Sequence, residues 1–444
     1  MRSDQQQAIN RLAGTSATAF LCAVLCVYPL YIDKFSNLGV TKFTGCFTLF
    51  LLFLLWLVAC TAIGARAPRP RNANAGRDVT LWGVLAFAGT SLISTFTSLS
   101  PTASTWGLGG YYGGLMLVLF TAAGYWAVRS YLDLENLDFV FWVLGITTSI
   151  VAVLYVLNIF NIDLIGAYAD TAVVERAQFF STLGQKDFNG CFFSVALPIV
   201  FYQFLNAKDT RTAVWTGIPA AFGALALAVV DSEALALGIG AAVMVLVCHK
   251  NFTTRHLRRA ALISAAFFGW AAWMHYMRAS VYTQGGTALL AKLGAWQVAL
   301  PCMAASLLLW LVLFVLARKG IAAQAPLYLP GRVITIAVLA VGALAFVLAN
   351  AMPNLPLPES LHNLLVFNDD WGTYRGVAWR AAFGTWADGS LLRKIVGIGP
   401  GMMHTAVAAW AGDAMTARMA TFYAAHNEYL EQLLPYLEGN VTYL

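Results

Sequence analysis

The chain has 444 residues, of which 59% are hydrophobic and only 11% charged. Soluble domains carry about 25% charged residues, so a soluble surface of this size could not be coated, and the 13% aromatic content excludes disorder. The composition is that of an integral membrane protein. Long apolar runs predict helices, whereas a barrel would alternate over segments of about 10 residues.

A helix crossing the hydrocarbon needs about 20 apolar residues. Charge-free stretches of that order run over 15–32, 43–64, 79–99, 112–128, 139–160, 188–205, 213–230, 234–247, 260–277, 295–316 and 333–351, eleven in all. The stretch at 234–247 is short and is expected to extend into its flanks. A twelfth begins at Tyr429, interrupted by Pro435, Glu438 and Gly439. No small-residue cleavage site follows the first stretch, which therefore reads as a retained span.

The net charge of +6 points to topology and not to nucleic acid, because most cations lie in short segments between apolar runs. With the N-terminus in the cytoplasm, sixteen of the 27 Lys and Arg residues fall inside. Of the eleven outside, five (Arg375, Arg380, Arg393, Lys394, Arg418) sit in one long loop, a weak determinant of orientation. Short segments thus divide 16 to 6 and fix the expected orientation.

The expected architecture is an all-α polytopic membrane protein with about 11–12 transmembrane helices. Residues 1–351 form the helical bundle, residues 352–425 a large, partly helical extracytoplasmic loop, and residues 426–444 the start of a final helix. The loop carries His362, His404, Trp371, Trp379, Trp386 and Trp410, too aromatic for a disordered segment. The seven cysteines lie in or beside apolar runs without zinc-ligand spacing, and read as small core residues. The three histidines at 362, 404 and 426 likewise lack ligand spacing, so no metal and no cofactor is expected.

Four constellations could carry chemistry. His426-Asn427-Glu428-Tyr429-Leu430 places a histidine where a Leu-rich helix begins, Asn427 suiting its N-cap; its plain reading is a wet interfacial side chain. Arg375 and Trp379 stand four apart on one helical face, a geometry that can hold a guanidinium for a diphosphate; the plain reading is a snorkelling arginine. The run from Gly397 to Gly401, with Arg393 and Lys394 before it, has neither Walker nor dinucleotide spacing and reads as a turn. Arg176 and Lys186 bring two cations to the mouth of the sixth stretch, and Asp231-Ser232-Glu233 forms an outer turn with two carboxylates.

Taken in order, these segments resemble the O-antigen ligase family of membrane glycosyltransferases, which includes lipopolysaccharide O-antigen ligases and some O-antigen polymerases. Ser104-Thr105-Trp106 through Gly113-Gly114-Leu115 is similar to the family's outer loop after the third span. Phe180 to Asn189, followed by Ala196-Leu197-Pro198, is similar to its Gly/Asn-then-Pro span. Arg375 to Trp379, the Gly397–Gly401 run and His426-Asn427 with Leu430 resemble its large-loop signatures. The resemblance runs from about residue 20 onward. It departs from the family at Glu233, where many relatives have the arginine of a Ser-Arg pair, and at the end, where 18 residues follow His426.

The resemblance implies transfer of a glycan from an undecaprenyl-diphosphate donor to an acceptor hydroxyl, on a glycan or lipid-linked acceptor, at the outer face of a bacterial cytoplasmic membrane. It casts His426 as the base or acceptor-positioning group and Arg375 with Arg176 as the diphosphate clamp, Lys186 assisting; Arg176, Lys186 or Arg393 would replace the missing arginine. A polymerase of the same family would differ only in its acceptor. A non-catalytic transporter or flippase of lipid-linked sugars is the rival class, and it predicts charges at the bilayer midplane, which the apolar stretches lack.

Overall fold

The computed structural model describes residues 3–66, 79–98, 100–107, 112–281, 283, 290–321, 324–352, 355–397 and 399–402. His404, His426 and the helix expected from Asn427 onward lie outside the described residues. The chain is built from α1 (Asp4–Leu30), α2 (Leu38–Ala62), α3 (Val79–Phe96), α4 (Pro101–Trp106), α5 (Leu115–Tyr131) and α6 (Leu137–Ile159). A hairpin of β1 (Phe179–Phe180) and β2 (Gly184–Gln185) follows. Then come α7 (Lys186–Asn206), α8 (Thr210–Val229), α9 (Glu233–Cys248), α10 (Thr254–Ser280), α11 (Trp296–Arg318) and α12 (Tyr328–Ala351). The described part closes with α13 (Glu359–Leu365), α14 (Trp371–Asp388) and α15 (Leu391–Val396).

Every one of the eleven apolar stretches falls on a helix. Among the described residues, eight helices are long and apolar enough to cross a membrane: α1, α2, α3, α6, α7, α8, α11 and α12. The protein is therefore an all-α polytopic membrane protein. Helices α11 and α12 present apolar side chains, Leu308 at 61% and Ile334 at 62% exposure among them, the surface that acyl chains rather than water would cover.

The chain divides into two compact units. One contains residues 18–46 and 133–338 and holds the main core. There Val151, Tyr155 and Ile159 of α6 meet Phe193 and Leu197 of α7, Leu225 and Val229 of α8, and Met274 of α10. Close approach of α6 and α8 depends on Gly145, where a side chain would press within 3.1 Å of Pro219. Asp209 caps α8, accepting from Thr212 N at 2.8 Å, and Thr253 with His256 forms a capping box on α10.

The last turns of α1 belong to this unit and begin with a π turn at Ala23–Val27. Such a turn shifts the helix register and leaves carbonyls available to other partners. Thr147 Oγ1 donates to Cys26 O at 3.2 Å. Beyond it, Lys42 Nζ donates to the carbonyls of Tyr28 and Pro29, each at 3.0 Å, and Thr182 Oγ1 donates to Pro29 O at 2.7 Å.

The β1–β2 hairpin is held by side chains. Ser181 adopts φ +56°, a conformation that non-glycine residues reach only at a cost, and its N–H donates to Asn158 Oδ1 at 2.7 Å. Asn189 is fully buried on the first turns of α7. It accepts from Ser181 Oγ at 2.6 Å and donates to the carbonyls of Phe180 (3.1 Å), Gly184 (3.0 Å) and Gln185 (3.1 Å). One amide thus closes a turn that has too few strand bonds to close itself.

The other unit contains residues 1–17, 47–132 and 339–444. Phe50 of α2 seats against Gly124 of α5, with Phe120 edge-on to it. Asn350 near the end of α12 donates to Leu365 O at 2.8 Å and accepts from Phe367 N at 2.9 Å, joining α12 to the α13–α14 connection.

Asn189→Ala removes the acceptor for Ser181 Oγ and the donor to three carbonyls, two of them buried. It should lower stability by about 1–3 kcal/mol for the groups left unsatisfied. Thermal unfolding of the detergent-purified protein should register the loss, with Asn189→Asp, which lacks the donating amide, no better than alanine.

Candidate functional site

Holding the hairpin in place sets the position of Lys186, the first residue of α7. Lys186 lines a cavity of about 240 Å3 in the core-bearing unit. Its walls are Tyr155, Ile159, Phe180 and Val229, and its polar lining comprises Gln178, Gln185, Lys186, Asp231 and Arg278. Apolar walls with a few convergent polar groups are the usual make-up of a ligand site, although drug-sized pockets reach about 300–1,000 Å3. This one suits a headgroup fragment and not a whole glycan.

Two cations, Lys186 and Arg278, enter the cavity with one carboxylate, Asp231. Lys186 Nζ lies 3.5 Å from Asp231 Oδ2, and both side chains retain solvent contact, at 46% and 26% exposure. A pair that wet is held weakly, about 0–1 kcal/mol, and an incoming anion can compete for the ammonium. The Asp231 amide N donates to the Tyr155 hydroxyl oxygen at 3.4 Å, which anchors the α8–α9 turn over the core. Ser232 Oγ donates to Asp187 Oδ1 at 3.1 Å, so this second carboxylate is engaged beside the cavity. Gly190 lets the turn approach α7, since a Cβ there would collide with the Ser232 side chain. The hairpin motif and the Asp231-Ser232-Glu233 turn, separate in sequence, are therefore one structural feature.

Arg176 is placed differently from Lys186. Its Nε donates to Thr171 O at 3.4 Å and its guanidinium lies 5.6 Å from the Tyr168 ring centroid. Tyr168 is itself buried, its hydroxyl donating to Phe179 O, and burial pushes its phenol above the ordinary range. Arg176 braces the loop before the hairpin, and its neighbours Ala177 and Gln178 line the cavity.

Arg375 belongs to the other unit. It is half-buried on α14, a helix that buries Val377, Ala378, Ala381 and Ala382 and carries the Trp371–Trp379 pair, 5.0 Å apart and edge-on. Gly376 permits the backbone of Asn368 to pass close against α14. In the same unit the glycines at 397, 399 and 401 all have positive φ, at 81°, 105° and 71°. Gly399 sits against Ser104, which is buried and 3.2 Å from Thr95 Oγ1. The Ser104-Thr105-Trp106 segment and the Gly397–Gly401 run are thus brought together by the fold.

Sequence reasoning overlooked Arg278. It follows the ninth apolar stretch, so the alternation of spans puts it on the same side as Lys186 and Asp231, and that parity was the available signal. Among the described residues no group of three or more His, Cys, Asp or Glu side chains could hold a metal ion. The cavity can instead receive an anion, with Lys186 as a point charge and Arg278 as a fork.

No family model matches the chain, and no curated protein or solved structure matches it significantly.

If the cavity takes a diphosphate, detergent-purified protein should bind inorganic pyrophosphate in a calorimetric titration. Arg278→Gln should weaken that binding by about 10-fold or more, the loss of one charge-assisted contact of about 1.5–3 kcal/mol. Arg176→Gln should leave it near the parental value. Equal affinity in Arg278→Gln and parent would remove the arginine from the site.

Proposed function

We propose that the protein is a membrane glycosyltransferase that moves a glycan from an undecaprenyl-diphosphate donor to an acceptor hydroxyl, in the manner of the O-antigen ligases. The observation that carries the reading is the cavity of Lys186, Asp231 and Arg278, because a lipid diphosphate leaving group calls for cations held beside an apolar bundle. The sequence resemblance supplies the rest. In this reading eleven or twelve helices cross a bacterial cytoplasmic membrane, the N-terminus is inside, and residues 352–425 lie outside.

The chemistry follows from charge. An acceptor hydroxyl attacks the anomeric carbon, the glycosidic bond to phosphate breaks, and the diphosphate departs with its electron pair. Cations stabilise the charge that develops on the leaving oxygen, and they act most strongly where water is scarce. Arg278 and Lys186 take that part in the core-bearing unit; for Arg375 on α14, the clamp role is what the sequence resemblance implies. Arg278 also answers the departure at Glu233: the cation that relatives carry in the Ser-Arg turn is delivered here from the end of α10. The acceptor hydroxyl needs a base, the part the resemblance gives to His426; imidazoles as a class suit general-base work at neutral pH. A polymerase would use the same groups and differ in its acceptor.

Reconstitution with an undecaprenyl-diphosphate-linked glycan and an acceptor glycolipid should release undecaprenyl diphosphate. Arg278→Ala and Arg375→Ala should each slow release by at least about 10-fold, and Arg375→Lys should recover only part of the rate. His426→Ala should cost about 10²–10⁴-fold, the usual contribution of a general base. His362→Ala should remain close to parental. Full turnover in both Arg278→Ala and His426→Ala variants would refute the assignment, and donor translocation across vesicles without diphosphate release would establish the flippase.

A further inference from the structure

The helix α7 runs about 30 Å from Lys186 to Asn206, and at its far end lies a second cavity of about 540 Å3. It opens between the end of α7, the Lys208-Asp209 turn, the first turns of α10 and the last turns of α11. Five cations line it: Lys208, Arg255, Arg258, Arg259 and Arg318. Asp209 is the one acidic residue among the lining groups, and both of its oxygens serve Thr212, accepting from the backbone N and from Oγ1 at 2.8 Å each.

The arginines divide by task. Arg259 donates to the carbonyls of Phe204 (3.0 Å) and Leu205 (2.9 Å), and Arg255 donates to those of Ala207 and Lys208, so this pair closes the C-terminal end of α7. Arg258 and Arg318 hold no such station. Their guanidinium groups lie 5.9 Å and 5.2 Å from the Phe314 ring centroid, one contributed by α10 and the other by α11. Two planar forks converging on one ring, with the local carboxylate already engaged, leave positive charge that a phosphate can grip.

The walls determine which phosphate. Beside the cations the lining is apolar, with Phe204, Leu262 and Trp310, and the flanking positions of α11 expose Leu307 and Leu311. A soluble anion uses only the cations. A phospholipid uses both parts, its headgroup phosphate among the guanidinium groups and its acyl chains along α11. Basic pockets between helices on the cytoplasmic side of a bundle are suited to such lipids. These cations belong to the segments that the charge count places in the cytoplasm.

We propose that this cavity binds an anionic phospholipid through its phosphate headgroup, as a site separate from the one formed by Lys186 and Arg278. The test is native mass spectrometry of the full-length protein in detergent, titrated separately with cardiolipin, phosphatidylglycerol, phosphatidylcholine and inorganic phosphate. The anionic lipids should bind at least 10-fold more tightly than phosphatidylcholine. Arg258→Gln/Arg318→Gln should cut that binding about 10-fold while lipid-free circular dichroism and thermal unfolding stay parental, because neither side chain closes α7. Lys250→Gln, a charge removed outside the cavity, should bind as the parent does. Equal binding of all the lipids, or undiminished binding by the double variant, overturns the proposal. Saturation by inorganic phosphate without lipid preference also overturns it and assigns the cavity to a soluble anion.

Discussion

Asn189 is the interaction on which the core-bearing unit turns. An apolar bundle offers no water to a stray carbonyl, so irregular backbone survives only where protein groups satisfy it. The hairpin of residues 179–185 is such backbone, pressed against α6 and α7 with few bonds of its own. A buried amide meets three of its carbonyls and, through Ser181, sustains a conformation that the serine would otherwise avoid. Because Asn189 lies only three residues beyond Lys186, the residue that closes the hairpin also fixes the start of the helix that carries the ammonium.

Both cavities of this unit follow one design at opposite ends of α7. At each, backbone that leaves or enters the helix is tied down by side chains, and cations from a neighbouring helix stand beside the tied segment. At the Lys186 end, Arg278 arrives from the end of α10; at the Asn206 end, Arg255, Arg258 and Arg259 arrive from its beginning. Helix α10 therefore contributes charge at both ends while its middle, with Ala265, Ala271 and Met274, is core. That division explains why it carries more charge than its neighbours without placing any at mid-depth.

The sequence made the helices legible because length and apolarity are local properties. Each charge-free stretch landed on a helix, including the short one at 234–247, whose helix extends to Glu233 and Cys248. The lining of the first cavity was legible in part. Lys186 could be singled out from its place at a helix mouth, whereas the bracing role of Arg176 depends on Tyr168 and Thr171, whose proximity is tertiary. Arg278 and Asp231 lie 47 positions apart, and their meeting depends on how α8 and α10 pack. Nor could the meeting of Gly399 with Ser104 be read beforehand, since nothing local in either segment points to the other.

The end of α1 carries a consequence for biogenesis. The carbonyls of Tyr28 and Pro29 are met by Lys42 and by Thr182. During synthesis, the lysine emerges soon after them, but the threonine follows more than 150 residues later. Until the hairpin arrives, the Pro29 carbonyl lacks that hydroxyl and relies on the Lys42 ammonium. The earliest of these helices to be made is thus among the last to be finished, because its Pro29 carbonyl gains the Thr182 hydroxyl only once residue 182 has been synthesised.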